Sequence, residues 1–441
     1  MIDTPRVFGP VFQGKRFAVL GLGKAGLPAA TALTVMGAEV FAWDDTAASR
    51  AAAAGLTLQP PSEVGQPLDG LVLSPGIPHV LPKPHVQAQW AMGQKIPILT
   101  DAELLFRAVR GSGSAAKFAG ITGTNGKSTT TALLAHILTK AGIPNAAGAN
   151  LGPAALSLPL LPDSGVYVLE MSSYMLERIA TLRFDVAAML NLSPDHLDRH
   201  GDMAGYAAAK RQIFARQDAT CTAVVGIDDA GSREMADWLE LQPARIVRIS
   251  GRAFCAAGAK ALPGEHNAQN AFAASEMARA LGVTEEAIAA GINSYPGLAH
   301  RQAEIAEIAG VKFIDDSKAT NADAASRAMG CYDRFVWIAG GVSKEGGVES
   351  LAPWFPHISK AFLIGRDATD FAATLNRHGV ANDVVGQLEN AVPAAFAEAR
   401  ATGIKTVLLS PACASFDQFK SFEHRGETFA ALVGALTGEA A

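Results

Sequence analysis

"KFAGITGTNGKSTTT", residues 117–131, decides how the chain around it is read. An apolar, strand-like run enters a glycine loop. The loop opens a helix predicted over about 127–141, with Leu133, Leu134, Ile137 and Leu138 on one face and Gly142 as its stop. Strand, glycine loop and helix in that order make a phosphate cradle. Gly123 and Gly126 let successive backbone N–H groups turn toward phosphate oxygens, and Lys127 brings a cation to the β/γ-phosphates. Ser128 offers a hydroxyl to Mg²⁺ at the positive end of the helix. The strict pattern G-x-x-x-x-G-K-[ST] would need glycine at Ile121, so this is a variant P-loop. A glycine turn with a solvated lysine would leave the threonine run behind Ser128 without a purpose.

Upstream lies a second loop of the same kind. "GLGKAGLPAA", residues 21–30, reads G-x-G-x-x-G between a strand ("RFAVLGLG") and a small-residue helix over 26–37 closed by Gly37. Asp44 ends the next strand, "EVFAWDD". This is the layout for a pyrophosphate and a ribose hydroxyl, NAD or FAD among the ligands, although a tight helix–sheet turn needs the same glycines. Further strands are predicted at "GLVLSPGIP", "GVYVLE", "FDVAAMLNL", "VKFIDDS", "RFVWIAGG", "KAFLIG" and "TVLLSPA", with a break around 97–101 and a turn-rich passage at "NSYPGLAHRQ". Strands alternating with helices mean parallel sheets. The predicted class is α/β in three domains, 1–99, 100–299 and 300–441.

At 441 residues the chain exceeds one ordinary core, and 49% apolar with 18% charged residues is globular material. A net charge of −5 argues against a nucleic-acid partner while leaving room for anionic small molecules beside local Lys and Arg. Cys221, Cys255, Cys331 and Cys413 form no C-x-x-C pair, which excludes a local zinc knuckle and suits a reducing compartment. No leader-like apolar segment and no membrane-spanning run is present, so a cytoplasmic protein without membrane insertion is expected.

Several stretches together resemble one family. "GTNGKSTTT", "LEMSSYMLE", "NLSPDHLDRH", "GEHNAQN" and "LAHR" are similar to the Mur ligases, the ATP-dependent amino-acid-adding enzymes of peptidoglycan synthesis. "DDSKATN" and "LLSPACASFDQFKSFEHRG" resemble the member that adds D-glutamate. The likeness runs in order from about residue 17 to 430. It implies a Rossmann-like N-terminal domain for a uridine-nucleotide carrier, a P-loop ATPase-type central domain and a Rossmann-like C-terminal domain for the amino acid. Two phosphate loops then serve two ligands, and no hydride is transferred. The substrates implied are UDP-N-acetylmuramoyl-L-alanine, D-glutamate and ATP, with two Mg²⁺ ions, acting in a monomer.

Such a ligase must turn a carboxylate oxygen into a leaving group. ATP phosphorylates the carboxylate, and the amine attacks the acyl phosphate. Every participant is anionic, so the site must supply cations where charges converge. Glu170, ending strand "VYVLE", stands where a Walker-B-type acid would sit and is the expected magnesium ligand with Ser128. "SPDHLDRH" gathers Asp195, His196, Asp198 and His200; taken alone it reads as a metal site or a polar loop, and the resemblance selects His196 as ligand to the second Mg²⁺. On residue type alone Lys210 is a snorkelling surface lysine. The resemblance makes it a carbamylated lysine that binds Mg²⁺.

The resemblance also assigns Gly123, Thr124, Asn125, Gly126, Lys127, Ser128, Thr129, His266, Asn267, Arg301 and Asp316 to ATP, with Lys127, His196, Lys210 and Arg301 catalytic. It gives Lys318, Thr320, Lys344, Ser415 and Phe422 to D-glutamate, and Gly23, Lys24, Asp44, Asp45, Gly76 and Asn150 to the carrier. Met175 stands where the family commonly has glutamine, and Phe416 where it has leucine. Rival readings are another Mur-type amino-acid ligase, an NAD-dependent oxidoreductase and a non-catalytic nucleotide-binding protein. The oxidoreductase leaves the P-loop and Glu170 without a role. The non-catalytic protein predicts ATP binding without amino-acid-dependent turnover.

Overall fold

The computed structural model describes residues 8–254, 259, 261–344 and 346–439; Cys255 lies outside them. The fold is α/β, with three sheets. β1 (Arg16–Leu20), β2 (Glu39–Trp43), β3 (Thr57–Leu58), β4 (Gly70–Leu73) and β5 (Ile98–Leu99) form a parallel sheet in the order β3-β2-β1-β4-β5. β6 (Lys117–Thr122), β7 (Asn145–Ala149), β8 (Val166–Glu170), β9 (Val186–Met189), β10 (Thr222–Gly226) and β11 (Arg245–Ile249) form a second, in the order β11-β10-β9-β6-β8-β7, again all parallel. β12 (Ala303–Ile308), β13 (Val311–Asp315), β14 (Phe335–Gly340), β15 (Ile358–Ile364), β16 (Asn382–Gly386) and β17 (Thr406–Leu409) form the third, in the order β12-β13-β17-β14-β15-β16. There only the β12–β13 pair is antiparallel.

Two compact units carry these sheets. One holds the chain up to Ala259 together with Asn267–Tyr295; the other holds Lys260–His266 and the chain from Pro296 onward. In the first unit the first and second sheets share a core. Ala29, Ala30 and Leu33 of helix Gly26–Val35 join Leu104, Leu105, Ala108 and Val109 of helix Asp101–Gly111, and the same cluster continues into Phe118 and Tyr167. The Phe118 and Tyr167 rings stack with centroids 4.9 Å apart, adding a directed contact to apolar burial. Fully buried Glu103 fastens helix Asp101–Gly111 to the next layer by accepting from the amides of Ala180, Thr181 and Leu182. In the second unit one core lies against helix Ala322–Met329 and another against helix Leu388–Thr402.

All ten strands expected from the sequence are present, and each is interior to its sheet. The six strands at sheet edges went unpredicted, as did interior β10. The residues around 97–101, expected to be a break, supply β5, in which Ile98 pairs with Leu71. Interior parallel strands bury both faces and read as continuous apolar runs. An edge such as β12, AEIAEI, keeps a half-solvated face and leaves a weaker trace.

Candidate active site

The second sheet gathers its polar strand ends around β6. From β6 the chain passes out to β7, back through β8, and over to β9, so the order reverses at β6, the position where open α/β sheets hold ligands. Ile121 is in register with Glu170, and Thr122 with Met189. The loop beyond β6 is tied down before any ligand arrives. Thr124 N donates to Asn191 O at 3.0 Å, and Asn125 N to Asn191 Oδ1 at 2.8 Å. The Thr124 hydroxyl donates to Ser193 O and accepts from Ser193 N, each at 3.1 Å. Gly126 caps helix Lys127–Lys140 at φ 84°, and a Cβ there would collide with Asn270 Oδ1. Only glycine meets both conditions. Lys127 Nζ bends back to Gly123 O (2.9 Å) and Thr124 O (2.7 Å), and Ser128 is buried at the helix start.

Helix Met203–Arg211, capped by Asp202 at Gly205 N, brings Tyr206 and Lys210 to this loop from positions four apart on one face. Lys210 is only 1% exposed, and its Nζ donates to Gly123 O at 2.9 Å and Thr122 Oγ1 at 3.3 Å over the Tyr206 ring. Burial, with the charge of Lys127 adding to it, holds its amine well below the ordinary lysine range. A surface lysine is thereby excluded. Glu170 is buried beside it in the sheet. Its Oε1 accepts from Asn150 Nδ2, while Oε2 is buried with no hydrogen-bond partner. A buried carboxylate oxygen without a donor next to a phosphate loop fits a hard cation, as does the Ser128 hydroxyl. Among the described residues no three His, Cys, Asp or Glu side chains converge on one point. The hard oxygen donors Ser128 and Glu170 suit Mg²⁺ completed by water and phosphate.

His196, at φ 54°, heads helix Leu197–His200 with its ring 5.0 Å from Tyr174 and half-exposed beside Asp195. His200 points inward instead, its Nε2 2.9 Å from Ser173 Oγ and its Nδ1 2.9 Å from Glu177 Oε1.

The glycine loop of the first sheet is built differently. Asp44 takes Leu22 N at 2.8 Å on one oxygen and both Thr46 N and Oγ1 on the other. Burial alone would raise this carboxyl, but those hydrogen bonds outweigh it and hold the group below its usual value. Asp44 thus pins the loop as well as standing at its mouth. Asp45 pairs with His85 Nε2 at 2.9 Å, and Gly23, Lys24 and Gly76 are exposed.

The second unit assembles its own group at the ends of β13 and β17. Asp316, buried, accepts from Ser410 Oγ at 2.7 Å and Gln302 N at 3.2 Å; burial pushes it up to about 7. Neighbouring Asp315 accepts from His300 Nδ1 at 2.7 Å and Ser317 N at 2.9 Å. Arg301 lies between His300 and Gln302, both in the left-handed region. Lys318 Nζ sits 3.9 Å over the Phe422 ring, and Arg425 is buried against Ser317 and Cys413 O. Ser415 is buried, whereas Lys344 is exposed. His266 is pushed down to about 4 by burial, with Arg327 adding to it, so its neutral ring accepts from Gln302 Nε2 at 3.4 Å. Asn267 Oδ1 accepts from Asn270 Nδ2 within the first unit.

Residues 121–260 match the Mur ligase middle domain. The chain is 49% identical to a UDP-N-acetylmuramoylalanine--D-glutamate ligase of Paramagnetospirillum magneticum over 97% of its own length and 98% of that protein's. Against the enzyme of the same name from Caulobacter vibrioides it is 44% identical over 97% of each. The chain belongs to the Mur ligase family. Family members use ATP and Mg²⁺. UDP-N-acetylmuramate-alanine ligase MurC of Thermotoga maritima shares the fold at a TM-score of 0.59 with 15% identity, covering 96% of this chain and 99% of that one.

Sequence reasoning missed several buried or bracing residues around these loops. Asn191 and Asn270 lie inside quoted motifs, "NLSPDHLDRH" and "GEHNAQN", yet brace the P-loop from strands and helices far away in sequence. Tyr206 is buried under Lys210 Nζ, and nothing in its local sequence marks it. Arg178 stands directly after "LEMSSYMLE", and only its burial distinguishes it.

Proposed function

We infer that this Mur ligase joins D-glutamate to UDP-N-acetylmuramoyl-L-alanine with hydrolysis of ATP, in peptidoglycan synthesis. The near-full-length identity to D-glutamate ligases carries the reading. The site chemistry supports it. The γ-phosphoryl group passes from ATP to the alanyl carboxylate, the D-glutamate amine attacks the acyl carbon, and phosphate departs as the amine loses its proton. Lys127 and the amides of residues 123–128 hold the phosphates in line with the carboxylate. Ser128 and Glu170 would hold one Mg²⁺, with His196 and Lys210 serving a second. When bound, the metal neutralises phosphate charge.

Lys210 is proposed to be carbamylated. Only the neutral amine adds CO₂, releasing a proton to give the carbamate anion, and a buried amine beside Lys127 favours that neutral form. His266, Asn267, Arg301 and Asp316 are assigned to ATP, Lys318, Thr320, Lys344, Ser415 and Phe422 to D-glutamate, and Gly23, Lys24, Asp44, Asp45, Gly76 and Asn150 to the carrier. Domains at 1–99, 100–299 and 300–441, a monomeric state and cytoplasmic action complete the reading. Among the described residues no helix is long and apolar enough to cross a membrane.

Phosphate release from ATP with UDP-N-acetylmuramoyl-L-alanine is expected with D-glutamate and not with L-glutamate, meso-diaminopimelate or no amino acid. Release with another amino acid would move the specificity assignment. Absence of release with any of them would sink the ligase reading.

A further inference from the structure

Arg178 is 3% exposed, and every hydrogen-bond partner it has is neutral. Its Nη1 donates to Leu73 O and Ser74 O, each at 3.1 Å. Its Nη2 donates to Ile77 O at 2.7 Å, and Nε and Nη2 lie 3.4 and 3.3 Å from His79 Nδ1. Glu177 offsets part of the charge from a distance, but none of the acceptors is a carboxylate. Burying a guanidinium on such terms is costly, so the fixed donor fork must hold something whose position matters. What it holds is one loop, residues 73–79, leaving the end of β4. That loop in turn touches the glycine loop. Ser74 Oγ donates to Gly21 O at 2.8 Å, and a Cβ on Gly21 would meet Ile77 Cδ1 at 2.7 Å. A second arginine grips the same loop: Arg199 Nη1 donates to Gly76 O at 3.2 Å while its Cζ stacks 4.3 Å from the Tyr174 ring. Tyr174 is also the ring beside His196. Both arginines belong to the part of the chain that carries the P-loop, and both act on a loop that carries Gly76.

We propose that Arg178 is a positioning residue for the carrier nucleotide, holding residues 73–79, and through Ser74 the glycine loop at Gly21, against the P-loop half of the unit. This rests on the ligase reading for the identity of the ligand. The buried fork fixes where the first phosphate loop stands relative to the second, so the carboxylate to be phosphorylated arrives in register with ATP. Burial and the adjacent Arg178 charge push His79 down to about 4, which keeps it a neutral acceptor at the outer end of the clamp.

The test is calorimetric binding of UDP-N-acetylmuramoyl-L-alanine, which needs no turnover, alongside steady-state KM values for all three substrates. R178M is expected to weaken carrier binding about tenfold or more while the KM values for ATP and D-glutamate stay within about twofold. R178K should recover only part of the loss, because one ammonium cannot reach the spread of acceptors. R216M is the control. Arg216 also donates to main-chain carbonyls, Leu182 O at 2.8 Å and Gln212 O at 2.9 Å, away from the 73–79 loop, so its loss should lower Tm with carrier binding unchanged. If R178M is too unstable to purify, S74A carries the test, with about a fivefold loss of carrier affinity expected. Carrier binding unchanged in R178M or S74A, or all three substrates weakened alike, overturns the proposal. Failure of the wild type to release phosphate with D-glutamate would condemn the ligase reading instead.

Discussion

The glycine loops at 21–26 and 123–128 solve the same backbone problem and carry opposite loads of charge. Each follows a buried parallel strand, opens a helix and is held by a hydrogen bond from outside the loop. Around the first, the carboxylate of Asp44 is spent on amides and a hydroxyl, and Lys24 stands in solvent. Around the second, Lys210 and Glu170 are buried, one amine pushed well below its ordinary range and one carboxylate oxygen without a donor. Buried, incompletely neutralised charge is destabilising by itself and is found where chemistry uses it. On the ligase reading proposed above, the first loop holds a ligand and the second reacts with one.

Lys210→Met should break the second loop hardest. D-glutamate-dependent phosphate release is expected to fall by about 1000-fold or more, with partial recovery on adding short carboxylates that replace the proposed carbamate. A variant with near-normal release would discard the carbamate and the contrast together. Stability reads the same residue independently. The unfolded chain protonates this amine up to about its ordinary 10.5, where the folded one does not, so wild-type stability rises with pH toward that value. Lys210→Met should lose that rise, measured as Tm against pH. Glu170→Gln removes the anionic oxygen and keeps the shape. The expected result is about a 100-fold higher half-saturating Mg²⁺ for turnover, with carrier affinity unchanged. An unaltered Mg²⁺ requirement would place the metal elsewhere.

Much of this contrast was legible in the sequence because it is local. Gly126, Lys127 and Ser128 are consecutive, and Glu170 ends a strand whose apolar run is unmistakable. The supports of those residues were not legible. Asn191 reaches Asn125 across 66 positions, and Arg178 reaches the 73–79 loop across about a hundred. No periodicity couples such pairs; only the sheet order brings them together. The edge strands were lost for a related reason. NAAGA (β7) and NDVVG (β16) owe their strand state to one neighbour's hydrogen bonds more than to their own composition.

Smaller effects sharpen the first loop. Asp44→Ala frees Leu22 N and both donors of Thr46, loosening the glycine turn. Carrier affinity should fall about tenfold, the size of one or two lost hydrogen bonds to a charged acceptor, with ATP affinity intact. Loss of ATP affinity in this variant would mean that the two loops are not separable.

Lys24→Met is the finest discriminator, because Lys24 and Lys127 each follow a glycine of their loop. Lys127 is half-buried and tucked against Gly123 O and Thr124 O, so water screens its charge less. Lys24 is exposed, so its attraction for a pyrophosphate is worth little and is screened by salt. Carrier KM should rise about threefold at low ionic strength and return to the wild-type value when salt is raised. If Lys24→Met instead costs as much as Lys127→Met and resists salt, the first loop closes over its ligand and buries that charge. The two loops would then differ in the ligand they take and not in the kind of work they do.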